Sequence, residues 1–515
     1  MKFIKVWSKS NSTALIIDND FSFEFKIEIM TKLTFFGGVN EIGGNKILLE
    51  DEGTKIFLDF GMPFSQVGKF FSEFLQPRKC SGIGDFLEFG LLPDLKGLYR
   101  RDYLKHMGRK PEDTEYQGVL LTHAHADHAA YIHHLREDIP IHCSEETYAI
   151  LKALNDTASG SFTDLTEFTR CFETYVNKKG EISKKTTKTH PDIVTPRKFD
   201  IFKFGKKFNI DNIEIVPYNV DHSLPGATGY IIHTSSGAIV YTGDFRFHGR
   251  RERKTVEFLE ACEKPDLLII EGTRIDEESS MKEKDVEDEV SVITSKSKGL
   301  SVCNWPVRDT DRLISFLNAA KKVDKKLTIS LKQAYLIEQL SKCKDSNVPK
   351  LDDKNLVLYA MRKDWGVIGS ECDERLIRAD YDKWERDYLD DSLCYKDVKD
   401  NQKKYMFFCT NFDLKELIDI KPVEGSVYIK SVCEPFDIEM EVDWKRIENW
   451  INHFGMGLNA THVSGHCSGP QLKEFVKTVK PKMLVPVHTQ HAEIYDKWWD
   501  KVHLLKEVGD KVDIK

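Results

Sequence analysis

The chain has 515 residues, of which 40% are hydrophobic and 31% are charged, and its mean hydropathy is −0.42. A chain of this length buries a sizeable core and is expected to form two to four domains. No apolar run approaches the ~18–20 residues needed to cross a bilayer, which excludes an integral membrane protein. The net charge of −8 excludes a general nucleic-acid coat, so any phosphate substrate requires a local basic surface.

The N-terminal segment and the cysteines both indicate a cytoplasmic protein. Residues 1–29 include Lys2 and Lys5, but polar residues interrupt any apolar stretch, so no secretory signal is predicted. Eleven cysteines, an odd number without a CxxC pair, are typical of reduced thiols. We therefore expect a cytoplasmic location, no membrane association, and an N-terminal extension over 1–29 with little bearing on the chemistry.

Short apolar strands alternate with glycine turns and helical stretches between residues 30 and 277. The predicted strands begin near Lys32 and continue through KIFLDFG, GVLL, IEIVPYN, AIVY and DLLII. Polar residues of the kind used in catalysis follow each strand end. This alternation predicts an α/β fold.

An acidic stretch at 276–289 indicates a domain boundary. The next unit, 278–440, has helices and strands of its own, and the chemical motifs return only in 441–515. The simplest topology inserts the middle unit into the first domain. We therefore predict a core formed by 30–277 and 441–515, interrupted by an inserted α/β domain at 278–440.

The strongest chemical signal is the run THAHADH at 122–128, which directly follows a predicted strand. In an extended segment His123 and His125 point the same way, while Asp127 and His128 follow at a turn into a helix. Four ligands in six residues can therefore converge on two adjacent metals. Imidazole and carboxylate ligands suit Zn²⁺, with Mn²⁺ or Fe as alternatives.

Three further strand ends carry Asp59, His222 and Asp244. Each alone has another explanation, such as capping a turn. Together with the HxHxDH run, their order resembles the metallo-β-lactamase superfamily over about residues 31–273. That resemblance implies an α/β fold built as an αββα sandwich.

The resemblance also implies a dinuclear metal centre. One metal would be held by His123, His125 and His222, the second by Asp127 and His128, with Asp244 bridging both and Asp59 orienting a ligand. Two metals about 3.5–4 Å apart lower the pKa of a shared water and stabilise charge on a phosphate oxygen. Such a site performs hydrolysis, with Asp127 and Asp59 among the residues it depends on.

Three later positions narrow the resemblance. Glu271 ends a strand in LLIIEGT, His466 lies in THVSGHCS, and His488 lies in LVPVHTQH. They resemble motifs A, B and C of the β-CASP branch, whose nucleases carry a cap domain inserted into the core, as 278–440 is here. Within that branch the chain most resembles ribonuclease J and its archaeal relatives, in GGVNEIGGN near the start and HVSGH near the end.

By this resemblance His488 completes the second metal's coordination, and His466, oriented by Glu271, protonates the leaving oxygen. A histidine pKa of ~6.5 suits that role near neutral pH. RNA-processing members have histidine at motif C where DNA-repair members have valine, so His488 favours RNA. Thr489 stands where the family commonly has glycine, a departure from the family pattern that bears on the shape of this loop.

Several residues are predicted to contact the RNA backbone. The hydroxyls, amides and helix start near motif B predict a phosphate cradle formed by His462, Ser464, Gly465 and Ser468, although Ser468 has the alternative role of a helix cap. Arg250 and Arg251 follow the Asp244 motif and are candidates for phosphate contacts. Asn304, Arg308 and Arg312 are candidates for contacts from the inserted domain.

These observations predict a metal-dependent ribonuclease that hydrolyses RNA phosphodiesters with water activated by two divalent ions, Zn²⁺ being favoured and Mn²⁺ the alternative. The resemblance implies single-stranded, 5′-phosphorylated RNA, 5′→3′ exonuclease or endonuclease action in RNA processing or decay, and a homodimer. Three alternatives stay open. A small-molecule hydrolase such as a lactonase or thioesterase is disfavoured by the inserted domain and by Glu271, His466 and His488. A DNA nuclease on the same scaffold is disfavoured by His488, and a catalytically inactive subunit of an RNA-processing complex is disfavoured by the complete ligand set.

Overall fold

The computed structural model describes residues 30–72, 74–157, 164–278, 281–367, 373–433 and 438–514, together with the backbone of 14–18 and 21–25. Within these ranges the chain forms two facing core sheets with helices on their outer surfaces, and a third sheet that belongs to the inserted domain. No helix in the described part of the chain is long and apolar enough to cross a membrane.

The first core sheet is mixed and has seven strands. In spatial order they are Phe199–Ile201, Ile141–Cys143, Gly118–Leu120, Thr54–Leu58, Ile47–Asp51, Thr31–Phe35 and Asp510–Ile514. Alternate residues face opposite sides, so that Ile47 and Leu49 enter the core between the sheets while Leu48 packs on the outer layer. The C-terminal strand closes one edge by pairing with Thr31–Phe35.

The second core sheet has six strands and packs face to face on the first. Its order is Phe208–Ile210, Ile213–Asn219, Thr228–Thr234, Gly237–Tyr241, Leu267–Ile270 and Met483–Pro486. Ile215, Ile232 and Ile269 meet Leu33 and Ile56 of the first sheet in one fully buried cluster. This cluster is the apolar layer that holds the two sheets together.

Helices cover the outer face of each core sheet. Those of the core are Phe64–Val67, Gly84–Glu88, Arg101–His106, Ala126–Ala129, Glu145–Thr157, Glu252–Ala261 and Gly469–Val479, with short 3₁₀ turns at Lys79–Ser81, Ala130–His134, Pro191–Ile193 and Ala492–Lys497. The layers are therefore helix, sheet, sheet, helix, which confirms the predicted αββα sandwich.

The inserted domain, called the cap below, contains a seven-stranded parallel sheet. Its order is Ser392–Leu393, Leu356–Tyr359, Lys326–Ser330, Tyr405–Phe408, Ser301–Asn304, Val427–Lys430 and Gly457–Ala460. Its helices are Glu283–Lys296, Thr310–Lys322, Leu331–Ser341, Glu374–Asp380, Lys383–Arg386, Tyr395–Asp400, Glu416–Ile420 and Ile438–His453, with a 3₁₀ turn at Gln402–Lys404. Apolar clusters on both faces of this sheet give the cap a core of its own.

The cap sheet extends beyond the boundary predicted at 440/441. The strand Gly457–Ala460 pairs in parallel with Val427–Lys430 at the edge of the cap sheet, so the chain returns to the core after Ala460. This edge strand, GLNA, is short and mostly exposed. It lacks the apolar pattern of a buried strand, and the sequence pattern therefore placed the boundary too early.

Three short hairpins lie outside the large sheets. Two lie between residues 167 and 196 of the core, where Glu167–Thr169 pairs with Val194–Pro196 and Thr174–Val176 pairs with Ile182–Lys184. In the predicted N-terminal extension, Ala14–Asp18 pairs with Phe21–Phe25.

Candidate metal centre and active site

Polar side chains from the ends of six core strands meet at one edge of the sandwich. Three groups of potential ligands form there, and within each group the ligand atoms lie within 4.8 Å of one another. The groups are His123, His125, His222 and Asp244; Asp127, His128 and His488; and Asp244, Glu271 and His466. The structure therefore brings together all the residues predicted as metal ligands, with Asp244 common to two groups.

Three imidazoles of the first group point their nitrogens at one another. Nδ1 of His125 lies 2.9 Å from Nε2 of His123 and 3.0 Å from Nε2 of His222. His222 Nδ1 donates to the backbone oxygen of Gly465 at 2.7 Å, which leaves a lone pair on its Nε2. The Thr122 hydroxyl accepts a hydrogen bond from His123 Nδ1 at 3.0 Å, which leaves a lone pair on Nε2 of His123 as well. The single N–H of His125 can donate to only one of these two lone pairs. A cation bound between the three nitrogens would remove the repulsion between their lone pairs.

The protonation states of the first group suit a metal. Burial lowers the pKa of His123 and His222 well below the ordinary histidine value and lowers the pKa of His125 to about 3. All three imidazoles are therefore neutral at neutral pH, and neutral imidazole is the form that binds a metal.

In the second group, hydrogen bonds to the Nδ1 atoms fix the orientation of both imidazoles. His488 Nε2 lies 3.1 Å and His128 Nε2 lies 4.0 Å from the same Asp127 oxygen. His128 Nδ1 donates to Asp59 at 2.7 Å, and His488 Nδ1 lies 2.8 Å from the hydroxyl of Thr273. Both Nδ1 atoms are thereby occupied, and both Nε2 atoms face Asp127.

Asp244 lies between the two groups and is buried without hydrogen-bond donors. Its Oδ2 is 3.2 Å from His128 Nε2, 3.7 Å from His123 Nε2 and 3.8 Å from His488 Nε2. Neither carboxylate oxygen accepts a hydrogen bond from any residue that the structure describes. A buried, unsatisfied carboxylate is costly unless cations offset it, so this position fits a ligand shared by two metals.

The electrostatics keep both carboxylates ionised. Burial alone raises the pKa of Asp244, but the facing imidazoles of His128 and His488 outweigh it and hold the pKa well below its ordinary value. The pKa of Asp127 is lowered in the same way, against burial, by His128 and His488. Both carboxylates are therefore anions at any pH near neutrality.

The glycine-rich segment 37–46 packs directly against the second group. A Cβ on Gly43, whose φ is +81°, would lie 2.6 Å from the Cβ of Asp127. The backbone oxygen of Gly38 accepts from the N–H of His488 at 2.9 Å. His488 itself has φ +55°, a strained conformation for a non-glycine residue that this hydrogen bond holds in place. The GGVNEIGGN motif is thus part of the site.

A histidine–glutamate pair lies beside Asp244. His466 Nδ1 donates to Glu271 Oε2 at 2.8 Å, and the other Glu271 oxygen accepts from the N–H of Phe245 at 2.9 Å. Burial lowers the pKa of His466, but the carboxylates of Glu271 and Asp244 outweigh burial and raise it to about 9. The His466 side chain is 18% exposed, so a charged imidazole at this position is accessible from outside the core.

Two of the predicted phosphate contacts have structural partners instead. Ser468 caps the helix Gly469–Val479 in a reciprocal pair with Gln471 and is 2% exposed. The alternative role of Ser468 as a helix cap therefore describes its observed contacts. Gly465 uses its backbone oxygen to orient His222, as described above.

Ser464 and His462 are half-buried and hydrogen-bonded to arginines. The backbone oxygen of Ser464 accepts from Arg246 Nη1 at 3.1 Å, and His462 Nδ1 lies 3.0 Å from Arg312 Nη1. Both contacts face protein groups. These two residues therefore brace the loop that carries the general-acid candidate, and the structure does not present them as an open cradle.

Arg250 and Arg251 do not form the free basic surface that was predicted. Arg250 Nη2 pairs with Glu287 at 2.8 Å, while Arg251 pairs with Asp311 at 2.8 Å and donates to the backbone oxygen of His222 at 2.6 Å. Their partners lie 37 and 60 residues away in the cap. The guanidinium groups join the cap to the core, because acidic residues that are distant in sequence neutralise them.

Sequence reasoning missed Arg246, which is fully buried between the domains. It donates to Asp311 of the cap at 2.6 Å, to Asp221 at 3.3 Å and to the backbone oxygen of Ser464 at 3.1 Å. The available signal was its position two residues after Asp244 in TGDFR. An arginine two residues after a predicted ligand is placed to contact the residues that surround the site.

The loop after His488 is closed without glycine. Thr489 is buried, and its hydroxyl accepts from the N–H of His491 at 3.1 Å. The His491 side chain is 46% exposed and lies 3.6 Å from Asp276, outside the ligand groups. The threonine therefore takes part in the local turn.

Two segments of the chain match family models. Residues 92–299 match the Beta-lactamase superfamily domain, and residues 456–496 match the Zn-dependent metallo-hydrolase RNA specificity domain. Ribonuclease J of Pyrococcus abyssi is 23% identical over 498 residues, which cover 90% of this chain and 92% of that relative. The chain is ribonuclease J-like.

Further similarities agree with this assignment. Ribonuclease J 2 of Staphylococcus aureus is 25% identical to this ribonuclease J-like chain over 301 residues, which cover 57% of the chain but only 43% of that relative. A crystal structure of a protein of unknown function from Enterococcus faecalis V583 superposes with a TM-score of 0.68 at 22% identity, covering 94% of this chain and all of that one. The latter similarity concerns the fold alone.

Proposed function

We propose that this ribonuclease J-like chain is a metal-dependent ribonuclease that hydrolyses RNA phosphodiester bonds at the ligand cluster around Asp244. One observation carries the proposal. The segment that matches the RNA specificity domain, 456–496, delivers His466 and His488 to the same carboxylate that faces the HxHxDH ligands. Substrate-specificity and hydrolytic motifs thus share one site.

Divalent metal ions fit the cluster, and we propose two Zn²⁺ ions, with Mn²⁺ as the alternative. The converging lone pairs of the first group and the unsatisfied oxygens of Asp244 both require positive charge. His123, His125 and His222 would hold one ion and Asp127, His128 and His488 the other, with Asp244 shared. The five imidazoles favour Zn²⁺ over the more oxygen-seeking Mn²⁺. When bound, such ions supply an activated water and offset charge on the phosphate.

The protein's own residues supply the proton for the leaving group. Glu271 fixes Nδ1 of His466, so Nε2 carries the proton that is donated to the departing ribose oxygen. The Glu271 carboxylate also keeps the imidazole charged until that transfer. Asp59 acts one step removed from the reaction by orienting His128.

Cleavage assays on end-labelled RNA test the proposal. We expect the wild-type protein with Zn²⁺ or Mn²⁺ to cut single-stranded RNA, chelation to abolish cutting, and Asp127→Ala and His466→Ala to be strongly impaired. His491→Ala is the matched control, because this histidine lies near the site in sequence but outside the ligand groups. We expect it to cut like wild type.

The substrates in the same assay separate the alternatives. A protein that cuts single-stranded DNA and leaves RNA intact is a DNA nuclease, and one that cuts neither with any metal is an inactive subunit; either result ends the proposal. Substrates with a 5′-monophosphate, 5′-triphosphate or 5′-hydroxyl end determine whether cleavage is 5′→3′ exonucleolytic or endonucleolytic. We propose a preference for the 5′-monophosphate.

Assembly and location complete the proposal. We propose a homodimer, which light scattering on the purified protein measures directly. We also propose a cytoplasmic setting, because an odd number of cysteines without a CxxC pair is typical of thiols kept reduced there.

A further inference from the structure

Arg308 differs from the other arginines at the junction of core and cap. Each of the others is paired with a carboxylate: Arg246 and Arg251 with Asp311, Arg250 with Glu287, and Arg312 with Glu283. Arg308 has no carboxylate within 4.0 Å in the part of the chain that the structure describes. Its one hydrogen bond there is a long one, 3.4 Å from Nη1 to the backbone oxygen of Ala124. Most of its five donors are thus uncommitted.

The contact with Ala124 places this charge at the metal site. Ala124 lies between His123 and His125 in the HxHxDH run, whose side chains form the first ligand group. Burial lowers the pKa of Arg308 and the Asp127 carboxylate opposes that effect, so the guanidinium lies within electrostatic range of the second ligand group. A cap residue therefore reaches the backbone of the HxHxDH run at the edge of the metal centre.

The local fold holds Arg308 in a short, rigid turn. The strand Ser301–Asn304 ends four residues before it, and the helix Thr310–Lys322 begins two residues after it, capped by Asp309. The backbone oxygen of Val307 accepts from Gln333 at 3.5 Å. Because the turn is fixed at both ends, the backbone of Arg308 is already ordered, and little entropy is lost when its side chain binds a ligand.

We propose that Arg308 binds a backbone phosphate of the RNA strand at the mouth of the metal site, an inference that rests on the proposed ribonuclease function. The planar guanidinium matches two phosphate oxygens and is a common phosphate ligand in proteins. A chain with a net charge of −8 needs a local cation to hold a polyanion, and Arg250 and Arg251 are already neutralised. Arg308 is a cation at the site that remains available.

RNA binding without cleavage gives the first test. In a His466→Ala background with Zn²⁺ present, the Kd for fluorescein-labelled oligoadenylate is measured by anisotropy over a range of salt concentrations. We expect Arg308→Gln to weaken binding about tenfold and to reduce the slope of log K against log salt by about 0.7, the value for one phosphate contact on a single strand. Arg308→Lys, which keeps the charge, recovers part of the loss.

The matched control is Arg375→Gln. Arg375 is also a cap arginine, but its side chain is 90% exposed and pairs with Asp373. If Arg308→Gln binds RNA like this control, with the same salt slope and an unchanged melting temperature, the inference is overturned.

A single neutral methylphosphonate moved along the RNA locates the contact. At the phosphate bound by Arg308 the neutral group weakens binding to the parent protein but has little further effect on Arg308→Gln. If the loss of affinity caused by the methylphosphonate adds to the loss caused by Arg308→Gln at every position, Arg308 does not contact a phosphate directly. If wild type cuts RNA while these tests fail, the inference falls and the ribonuclease function stands. If wild type neither cuts nor binds RNA, both fall.

Discussion

Replacing Arg312 by methionine tests how the cap is attached to the core. The Arg312 guanidinium is fully buried and donates to Glu283 at 2.8 Å, to the backbone oxygen of Ser431 at 2.9 Å and to that of Val463 at 2.9 Å. These contacts join a cap helix, a cap strand and the segment that leads to His466. Methionine fills much of the same volume but makes none of these hydrogen bonds.

The magnitude follows from what the substitution leaves behind. Glu283 is 1% exposed, and against the effect of burial Arg312 lowers its pKa to about 2. Without the arginine, a buried carboxylate keeps only the Ser315 hydroxyl at 2.8 Å and a distant Arg246. Breaking a buried ion pair in this way costs about 3–5 kcal/mol. At 2–4 °C per kcal/mol for a domain of this size, the melting temperature of the cap falls by roughly 10 °C.

Calorimetry and cleavage assays measure the outcome. We expect Arg312→Met to lower the cap transition and the RNA-cleavage rate while retaining the metals, because Arg312 contacts none of the ligands. Adding Glu283→Gln removes the uncompensated charge and restores part of the lost stability. Arg446→Met, at a 65% exposed pair with Asp443, is the control and shifts melting little. Arg312→Met melting within 2 °C of wild type, a threshold well below the ~10 °C shift, would refute this account of cap docking.

Four further substitutions have defined outcomes. His466→Ala slows cleavage by about 10²-fold with metal content unchanged by elemental analysis, as loss of a proton donor requires; metal depletion would make His466 a ligand. Asp59→Asn weakens metal binding by about 10–100-fold in chelator competition, because His128 loses its acceptor, and unchanged affinity would contradict that role. Ser468→Ala costs about 1 kcal/mol of stability and leaves RNA affinity unaltered. Burial lowers the pKa of His142 to about 4. The neutral imidazole therefore contributes about 3 kcal/mol to the free energy of unfolding above pH 6.5, and this contribution is lost as the pH falls from 6.5 to 4. We expect His142→Gln to flatten the fall in melting temperature across that pH range.

The ligands could be predicted from the sequence because each is fixed by local structure. His123, His125, Asp127 and His128 share one turn after a strand, so their spacing determines where they point. Glu271 and His488 follow strands that are adjacent and parallel in the second sheet, and the ends of such strands meet at one edge.

The partners of charged residues that seem exposed from the sequence could not be predicted in the same way. Arg251 looks like part of a basic run, but Asp311 neutralises it from 60 residues away, and no local pattern encodes that pairing. Thr273 and Tyr241 were missed as supports for the same reason. Their hydroxyls reach His488 and Asp59, and each hydrogen bond exists only after distant segments have folded together.

The insertion of the cap and the completion of the active site are linked through one buried side chain. Arg246 donates to Asp311 of the cap, to Asp221 beside the ligand His222, and to Ser464, two residues before His466. The cap's carboxylate therefore helps to fix a cation that positions both His222, a proposed metal ligand, and His466, the proposed proton donor. Because the guanidinium is fully buried, it cannot exchange these partners for water without a large desolvation cost. The geometry of the centre thus depends on the cap being docked, although the cap contributes none of its ligands.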